Sequence, residues 1–560
     1  MSQLSYVNGA SVTPLIGVTI GQRFDEACAQ FADNEALVSR HQNVRLSYRQ
    51  LQTQVNKLAC GLRRLGLEPG DRIGIWATNC VEWTLMQYAT AKTGLVLVNM
   101  NPSYRRTELE YVINKVGCRA IVMSSSFKDS NYNEMVCDLV PELAESQIGQ
   151  LRSPRLPSLQ YVISINDEPR AGMMRFTELM TTPGAEELTA LADVGEGLQF
   201  DDPINIQFTS GTTGSPKGAT LSHHNILNNG FFCGEGIKLT PQDRVCIPVP
   251  LYHCFGMVIG NLACVTHGAT MVYPSAVFDA TQMLKAVEEE QCTAAYGVPT
   301  MFIAVLDHPE FAQYDLSSLR TGVMAGSPCP IEVMRQVIDK MYMSEVTICY
   351  GMTETSPVSF QSATDDPIDK RVSTVGRVHP HCEIKVVDEL GKIVPRGVSG
   401  ELCTRSYSVM LGYWGDEQKT AEAIDAAGWM HTGDLAVLDE EGYCQIIGRM
   451  KDLVIRGGEN LYPREIEEFL YTHPDILDVQ VIGVPDSKYG EELCAWVVLK
   501  EGRAMTDEDI RRFCDGQISR QKIPRYVKFV IEFPMTVTGK IKKFEMRQIM
   551  QEELEDVTDR

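Results

Sequence analysis

Basic charge is scarce in this chain of 560 residues. Lys and Arg number 51 against 73 Asp and Glu, a formal net charge of -22. A nucleic-acid binder needs a basic face to neutralise phosphates, so that class is excluded. Close cysteine pairing is missing too. Seventeen cysteines lie scattered without a C-x-x-C pair, which argues against a disulfide framework and fits reduced thiols in a cytosolic protein. The cluster "HPHC", His379 to Cys382, lacks a second ligand pair at zinc spacing and is not read as a metal site. Long apolar runs are absent as well. The longest stretch, "GMVIGNLACVTHGATMVY", is broken by Asn261, Thr266 and His267, so no membrane span is expected. The opening "MSQLSYVNGASVTPLIG" has neither a basic segment ahead of an apolar core nor an Arg-rich amphipathic pattern. It is not read as a leader, and a cytoplasmic location is the expectation.

What is present is ordinary for a globular enzyme: 44% hydrophobic and 22% charged residues. The length calls for roughly two to four cores. From about residue 45 to 300, helical patterns alternate with short apolar runs. Leu51, Val55, Leu58, Leu62 and Leu65 fall on one helical face. Runs such as "RIGIW", "LVLVN", "AIVM" and "TMVY" read as buried strands. That alternation predicts an α/β class with layered sheets, largely parallel. Near residue 380 the texture turns to short β runs separated by glycines, a small barrel-like piece. Beyond about residue 450 a strand, turn and helix pattern begins, with Pro463 suited to a first helical turn and Ile466 and Leu470 facing inward. The predicted division is a large domain over 1–448 (with the β-rich piece at about 380–448), a hinge at 449–452, and a small mobile α+β domain over 453–560.

Four separated segments carry what a single nucleotide site needs. "FTSGTTGSPKG", Phe208 to Gly218, is rich in glycine and hydroxyl groups and holds Lys217. Successive N–H groups in such a turn make an anion-binding concavity. It is not the P-loop G-x-x-x-x-G-K-[ST], because Pro216 precedes the lysine and Gly218 stands where Ser or Thr should follow. "ICYGMTETSP" delivers Tyr350, Thr353 and Glu354, a ring for a base, a hydroxyl for phosphate and a carboxylate for Mg2+. "GWMHTGDLAVLDEEGYCQIIGRMKD" offers Asp434 for ribose hydroxyls and Arg449 for ribose or phosphate. "PMTVTGKIKKFEMR" sets Lys540, Lys542, Lys543 and Arg547 against one acid, Glu545, in an acidic chain. Taken singly, each has a bland reading: a surface turn, a capped strand end, an exposed ion pair or a solvated tail.

Together, and in this order, the four strings resemble the acyl-adenylate-forming superfamily: acyl-CoA synthetases, aryl-CoA ligases, firefly-type luciferases and peptide-synthetase adenylation domains. The resemblance spans roughly residues 45 to 547 and is nearest to the medium-chain fatty acyl-CoA synthetases. It implies that Thr209, Ser210, Gly211, Thr212, Thr213, Gly214 and Lys217 wrap the β- and γ-phosphates of ATP. Tyr350 would stack on adenine in a pocket lined by Gly326, Ser327, Gly351 and Met352. Glu354 would hold Mg2+, with Thr353 beside it. Asp434 and Arg449 would bind ribose, and His253 in "PLYHCFG" would lie by the substrate carboxylate. Lys540 would bridge the reacting carboxylate and the α-phosphate, two anions whose approach needs a preorganised cation between them.

The implied chemistry has two halves. A carboxylic acid and ATP give acyl-AMP and pyrophosphate, and the CoA thiol then displaces AMP. Lys451 matches the hinge about which relatives rotate the small domain. Gly457 and Gly458 in "RGGEN" would leave room for the pantetheine arm, with Arg456 or the basic tail near the CoA phosphates. The acid pocket would draw on "YHCFGM", Val298 to Met301, Gly322, Gly351 and Met352. These are small or apolar side chains that favour a monocarboxylic, apolar acyl chain. Rival readings are an aryl-CoA ligase, an enzyme loading a carrier protein, a luciferase and a silent nucleotide sensor. No fused carrier is expected beyond Lys540, and a homodimer is left open.

Overall fold

The computed structural model describes residues 3–166, 169–209, 216–327, 329–486, 488–536 and 541–558. Two large sheets form the body. One has eight strands, ordered Met174–Arg175, Tyr161–Ser164, Cys118–Met123, Arg72–Trp76, Val96–Asn99, Pro203–Thr209, Lys217–Ser222 and Gly412–Tyr413. Its first six strands are parallel and its last two antiparallel. The other has nine strands, with Glu345–Gly351, Thr321–Ala325, Ala294–Gly297, Arg244–Cys246, Thr270–Tyr273 and Glu35–Ser39 running parallel at its centre. The α/β reading therefore holds.

Helices fill the space between the two sheets. Tyr48–Arg64 starts in a capping box made by Ser47 and Gln50. It buries Leu51, Val55, Leu58 and Leu62 completely, while Leu65 caps the helix and is only half-buried. Helix Val81–Thr93 is buried nearly all round, as a helix covered by neighbours on both sides must be. One apolar cluster runs through this layer, from Ile73 and Leu97 on the first sheet to Tyr296 and Val323 on the second.

A third, five-stranded sheet is wholly antiparallel: Tyr6–Asn8, Cys382–Val387, Gly400–Ser406, Met430–Leu438, Cys444–Arg449. A turn at 450–452 leads to a fourth sheet built from Val454–Arg456, Glu459–Leu461, Ile476–Asp486, Gly490–Leu499 and Tyr526–Phe529. Pro463 opens the helix Pro463–Leu470, and Ile466 and Leu470 are buried. The final helix, Lys543–Thr558, packs on strand Ile476–Asp486. Among the described residues, no helix is long and apolar enough to cross a membrane.

Candidate active site

The open end of the hairpin formed by Pro203–Thr209 and Lys217–Ser222 pairs Thr209 directly with Lys217. Ser210, Gly211, Thr212, Thr213 and Gly214 lie outside the described residues, but both stems of their loop are in place. Tyr111 donates a hydrogen bond of 3.2 Å to the Pro216 carbonyl. The short strand Gly412–Tyr413 then adds to the hairpin's free edge. That register carries the Tyr413 ring to Lys217, whose Nζ stands 4.2 Å from the ring centroid and donates to the hydroxyl at 3.1 Å.

Strand Glu345–Gly351 ends in a tight turn holding Thr353 and Glu354, both buried. The turn leaves no room for a side chain at Gly351, where a Cβ would stand 1.8 Å from the Pro357 carbonyl oxygen. Glu354 Oε1 accepts from the Tyr413 hydroxyl at 2.9 Å and from the Thr209 hydroxyl at 3.3 Å. Thr209, Lys217, Glu354 and Tyr413 thus form one cluster. Burial, and then the Glu354 carboxylate, push the Tyr413 phenol upward, so it remains a protonated donor at neutral pH.

Four residues before Glu354, Tyr350 donates to Asp434 Oδ2 at 2.5 Å. Asp434 and Arg449 are directly paired on adjacent strands, and Arg449 Nε donates to Asp434 Oδ1 at 3.1 Å. Asp434 is 5% exposed. Burial raises its carboxyl above the usual range, against the pull of Arg449 and Tyr350. Burial and the facing carboxylate hold the Tyr350 phenol well above its ordinary value. The exposed Arg449 side chain keeps access to solvent. Gly326, in the left-handed region at φ 93°, and half-buried Ser327 follow strand Thr321–Ala325, the parallel neighbour of the strand that bears Tyr350.

His253 opens the segment that leads into helix Phe255–Leu262, and its Nδ1 accepts from the Phe255 N–H at 3.2 Å. A buried polar ladder holds this segment. Asn99 donates to the Tyr252 carbonyl at 2.9 Å, Asn205 to Asn99 at 2.9 Å, and Cys254 Sγ to Gln207 at 3.1 Å. Around it, Tyr252, Phe255, Met257, Val298, Met301, Ala325 and Met352 belong to a single apolar cluster.

Lys540 lies outside the described residues. Its basic neighbours are committed elsewhere: Lys543 Nζ meets Glu467 Oε1 at 2.6 Å, and Arg547 meets Asp452 Oδ1 at 2.6 Å, just after the exposed Lys451. Gly457 and Gly458 adopt φ of 59° and 88° in the two-residue turn joining Arg456 to Glu459. The turn by itself accounts for both glycines. Arg456 is bound to buried Glu492 by two contacts of 2.8 Å. In "HPHC", His379 Nε2 faces Gln361 Oε1 at 3.2 Å and His381 Nε2 faces the Thr13 carbonyl at 2.7 Å; the two rings turn to different partners. The sequence reading missed Tyr413 and the Asn99–Asn205–Gln207 ladder. Their side chains carry no motif signal, and only sheet pairing brings them to the site.

Residues 24–414 match the AMP-binding enzyme family, and residues 465–540 match the AMP-binding enzyme C-terminal domain. The chain belongs to the AMP-binding enzyme family. Among relatives, the mitochondrial medium-chain acyl-CoA ligase ACSF2 of Bos taurus is 48% identical, covering 98% of this chain and 90% of the relative. The putative acyl-CoA synthetase YngI of Bacillus subtilis is 49% identical over 95% of this chain and 97% of its own. Of solved structures, the anthranilate CoA ligase AuaEII with anthranoyl-AMP superposes with a TM-score of 0.83 at 25% identity, covering 96% of this chain and 98% of that one. ATP-bound MatB from Rhodopseudomonas palustris gives 0.78 at 27% identity, over 95% and 99%. The first site segments, from Thr209 to Tyr413, fall within the larger family match, and Lys540 is the last residue of the smaller.

Proposed function

We propose that this AMP-binding enzyme is an ATP-dependent fatty acid–CoA ligase acting on medium-chain acids. It joins acid and ATP into acyl-AMP with release of pyrophosphate, and then transfers the acyl group to the CoA thiol. The observation that carries the reading is the convergence of three distant segments. Thr209 and Lys217, Tyr350 and Glu354, and Asp434 and Arg449 form two hydrogen-bonded clusters joined through the short segment from Tyr350 to Glu354. Relatives named as medium-chain acyl-CoA ligases, matched over nearly the whole chain, support the substrate class.

In this reading Asp434 and Arg449 hold the ribose, and Tyr350 presents its ring to adenine. Lys217 and the loop of 210–214 grip the leaving pyrophosphate. The fit of Mg2+ rests on the donors: Glu354 supplies a buried carboxylate oxygen beside the Thr209 hydroxyl, hard oxygen ligands of the kind this ion takes. When bound it would neutralise charge on the phosphates. His253 stands at the acid's carboxylate end, with the apolar cluster of Phe255, Met257, Val298 and Met301 taking the acyl chain. Lys540 aligns the two anions, so catalysis is positioning and charge neutralisation without proton transfer. The segment 449–452, including Lys451, serves as the hinge that brings Lys540 in for the first half-reaction and withdraws it for the second. The seventeen free cysteines favour a reducing, cytoplasmic setting.

The test is pyrophosphate release with Mg-ATP across straight-chain, benzoate and cinnamate acids, with and without CoA. CoA-dependent turnover that peaks at a medium aliphatic length is expected. Turnover with aryl acids alone, or acyl-AMP that CoA cannot discharge, would overturn the reading.

A further inference from the structure

Beside the strand Met430–Leu438 that bears Asp434, strand Gly400–Ser406 carries Glu401 and Cys403 on one face, as the period of two requires. Cys403 is directly paired with His431 on the neighbouring strand Met430–Leu438. A register shift between Glu401 and Cys403, with Gly433 at φ 70°, bulges the partner strand and draws His431 toward Glu401. The three ligand atoms lie within 4.8 Å of one another. We propose that Glu401, Cys403 and His431 form a binding site for one zinc-class divalent cation.

The distances support this. His431 Nδ1 is 3.6 Å from Cys403 Sγ and 2.8 Å from Glu401 Oε2. Zinc bonds of about 2.0–2.3 Å in a tetrahedron put neighbouring ligand atoms about 3.3–3.6 Å apart. The sulfur–nitrogen pair already has that spacing. The nitrogen–oxygen pair would open by about half an ångström, exchanging one hydrogen bond for two metal bonds; the Cys403 thiol proton leaves to solvent and the imidazole proton resides on Nε2, which faces Asp425. Behind the histidine, Asp425 Oδ2 faces Nε2 at 3.9 Å, while its Oδ1 accepts from the N–H groups of Ala427 and Trp429. A carboxylate behind a ligating imidazole fixes the ring and its tautomer.

Charge and access agree with the spacing. The nearby cations are Lys385, paired with Cys403 across the sheet and held with Nζ 4.5 Å from the Trp429 ring centroid, and Arg405, over the same ring at 4.6 Å and bound to Glu383 at 2.9 Å; Glu401 and Asp425 stand on the side of the imidazole. His431 is 34% and Glu401 21% exposed at the side chain, whereas Cys403 is fully buried. An ion would enter past the imidazole and the carboxylate and keep a solvent ligand. The S, N, O donor set favours a borderline metal such as Zn2+ over Mg2+, which separates this site from Glu354.

Titration of the full-length, reduced protein with Co2+ alone, without nucleotide, tests the proposal and needs no ligase turnover. One equivalent should give tetrahedral cobalt bands with a thiolate-to-cobalt charge-transfer band, and Zn2+ should bleach both. Cys403→Ser should lose the charge-transfer band, and Asp425→Asn should weaken affinity about tenfold or more. Cys137→Ser, at a half-buried cysteine elsewhere, should change nothing. No band at one equivalent, or an unaltered band in Cys403→Ser, would overturn the assignment. Should Cys403→Ser not fold, His431→Gln at the more exposed ligand decides: unchanged Co2+ affinity in that variant refutes the site.

Discussion

Tyr413→Phe removes one oxygen atom from a buried position, 6% exposed, and touches two proposed functional groups at once. The lost hydroxyl accepts from Lys217 and donates to Glu354. Phenylalanine keeps the ring under the lysine, so the cation–π contact survives. A hydrogen bond to a charged group is worth about 1.5–3 kcal/mol, equivalent to roughly a 10- to 150-fold change in rate. The loss should fall on pyrophosphate release, because Lys217 and Glu354 are read as serving the phosphates and Mg2+. Thioester formation from supplied acyl-AMP, after pyrophosphate has gone, should stay within a few-fold of the parent. Tyr413→Leu, which also deletes the ring contact, should slow the first half-reaction further by a few-fold. The assay is each half-reaction measured separately, with thermal unfolding as a check on folding. Pyrophosphate release by a stable Tyr413→Phe protein at the parent rate, or equal loss of both half-reactions, would refute the role given to this hydroxyl.

Other outcomes follow from the same reasoning. Lys540→Ala should abolish acyl-AMP formation, a loss on the order of 10²–10³-fold or more, while thioester formation from supplied acyl-AMP persists; equal loss of both would rule out the hinge account. Gly351→Ala drives a Cβ against the Pro357 carbonyl and should displace the turn carrying Glu354, seen as weakened ATP binding; parent-like ATP affinity would contradict the geometry. Asp478, 8% exposed and hydrogen-bonded by Tyr471 and the Val479 N–H, has its carboxyl pushed up by burial to about 6. A raised folded value means that its contribution is fully present below the unfolded value of about 3.9 and is lost as pH rises through about 6, at most about 3 kcal/mol. Asp478→Asn should therefore flatten the fall in stability between those values, and denaturation curves with an unchanged pH slope would exclude this burial penalty.

The chain order of residues decided the α/β class, the helix Tyr48–Arg64 and the inward faces at Leu51 and Ile466, because those depend on periodicity and capping within a dozen residues. It also decided which residue types could serve a nucleotide, since the loop around Lys217 and the Tyr350–Glu354 turn are local strings. Tertiary structure decided which of them meet. Tyr413 reaches Lys217 and Glu354 only because its short strand pairs with the edge of the hairpin, 196 residues away from the lysine in sequence. Asp434 accepts from Tyr350 only because two different sheets abut there. Arg456 and Lys543, equally basic in the sequence, were claimed by Glu492 and Glu467. A motif specifies donors and acceptors, but strand register and burial determine their partners, and register is a property of the folded sheet.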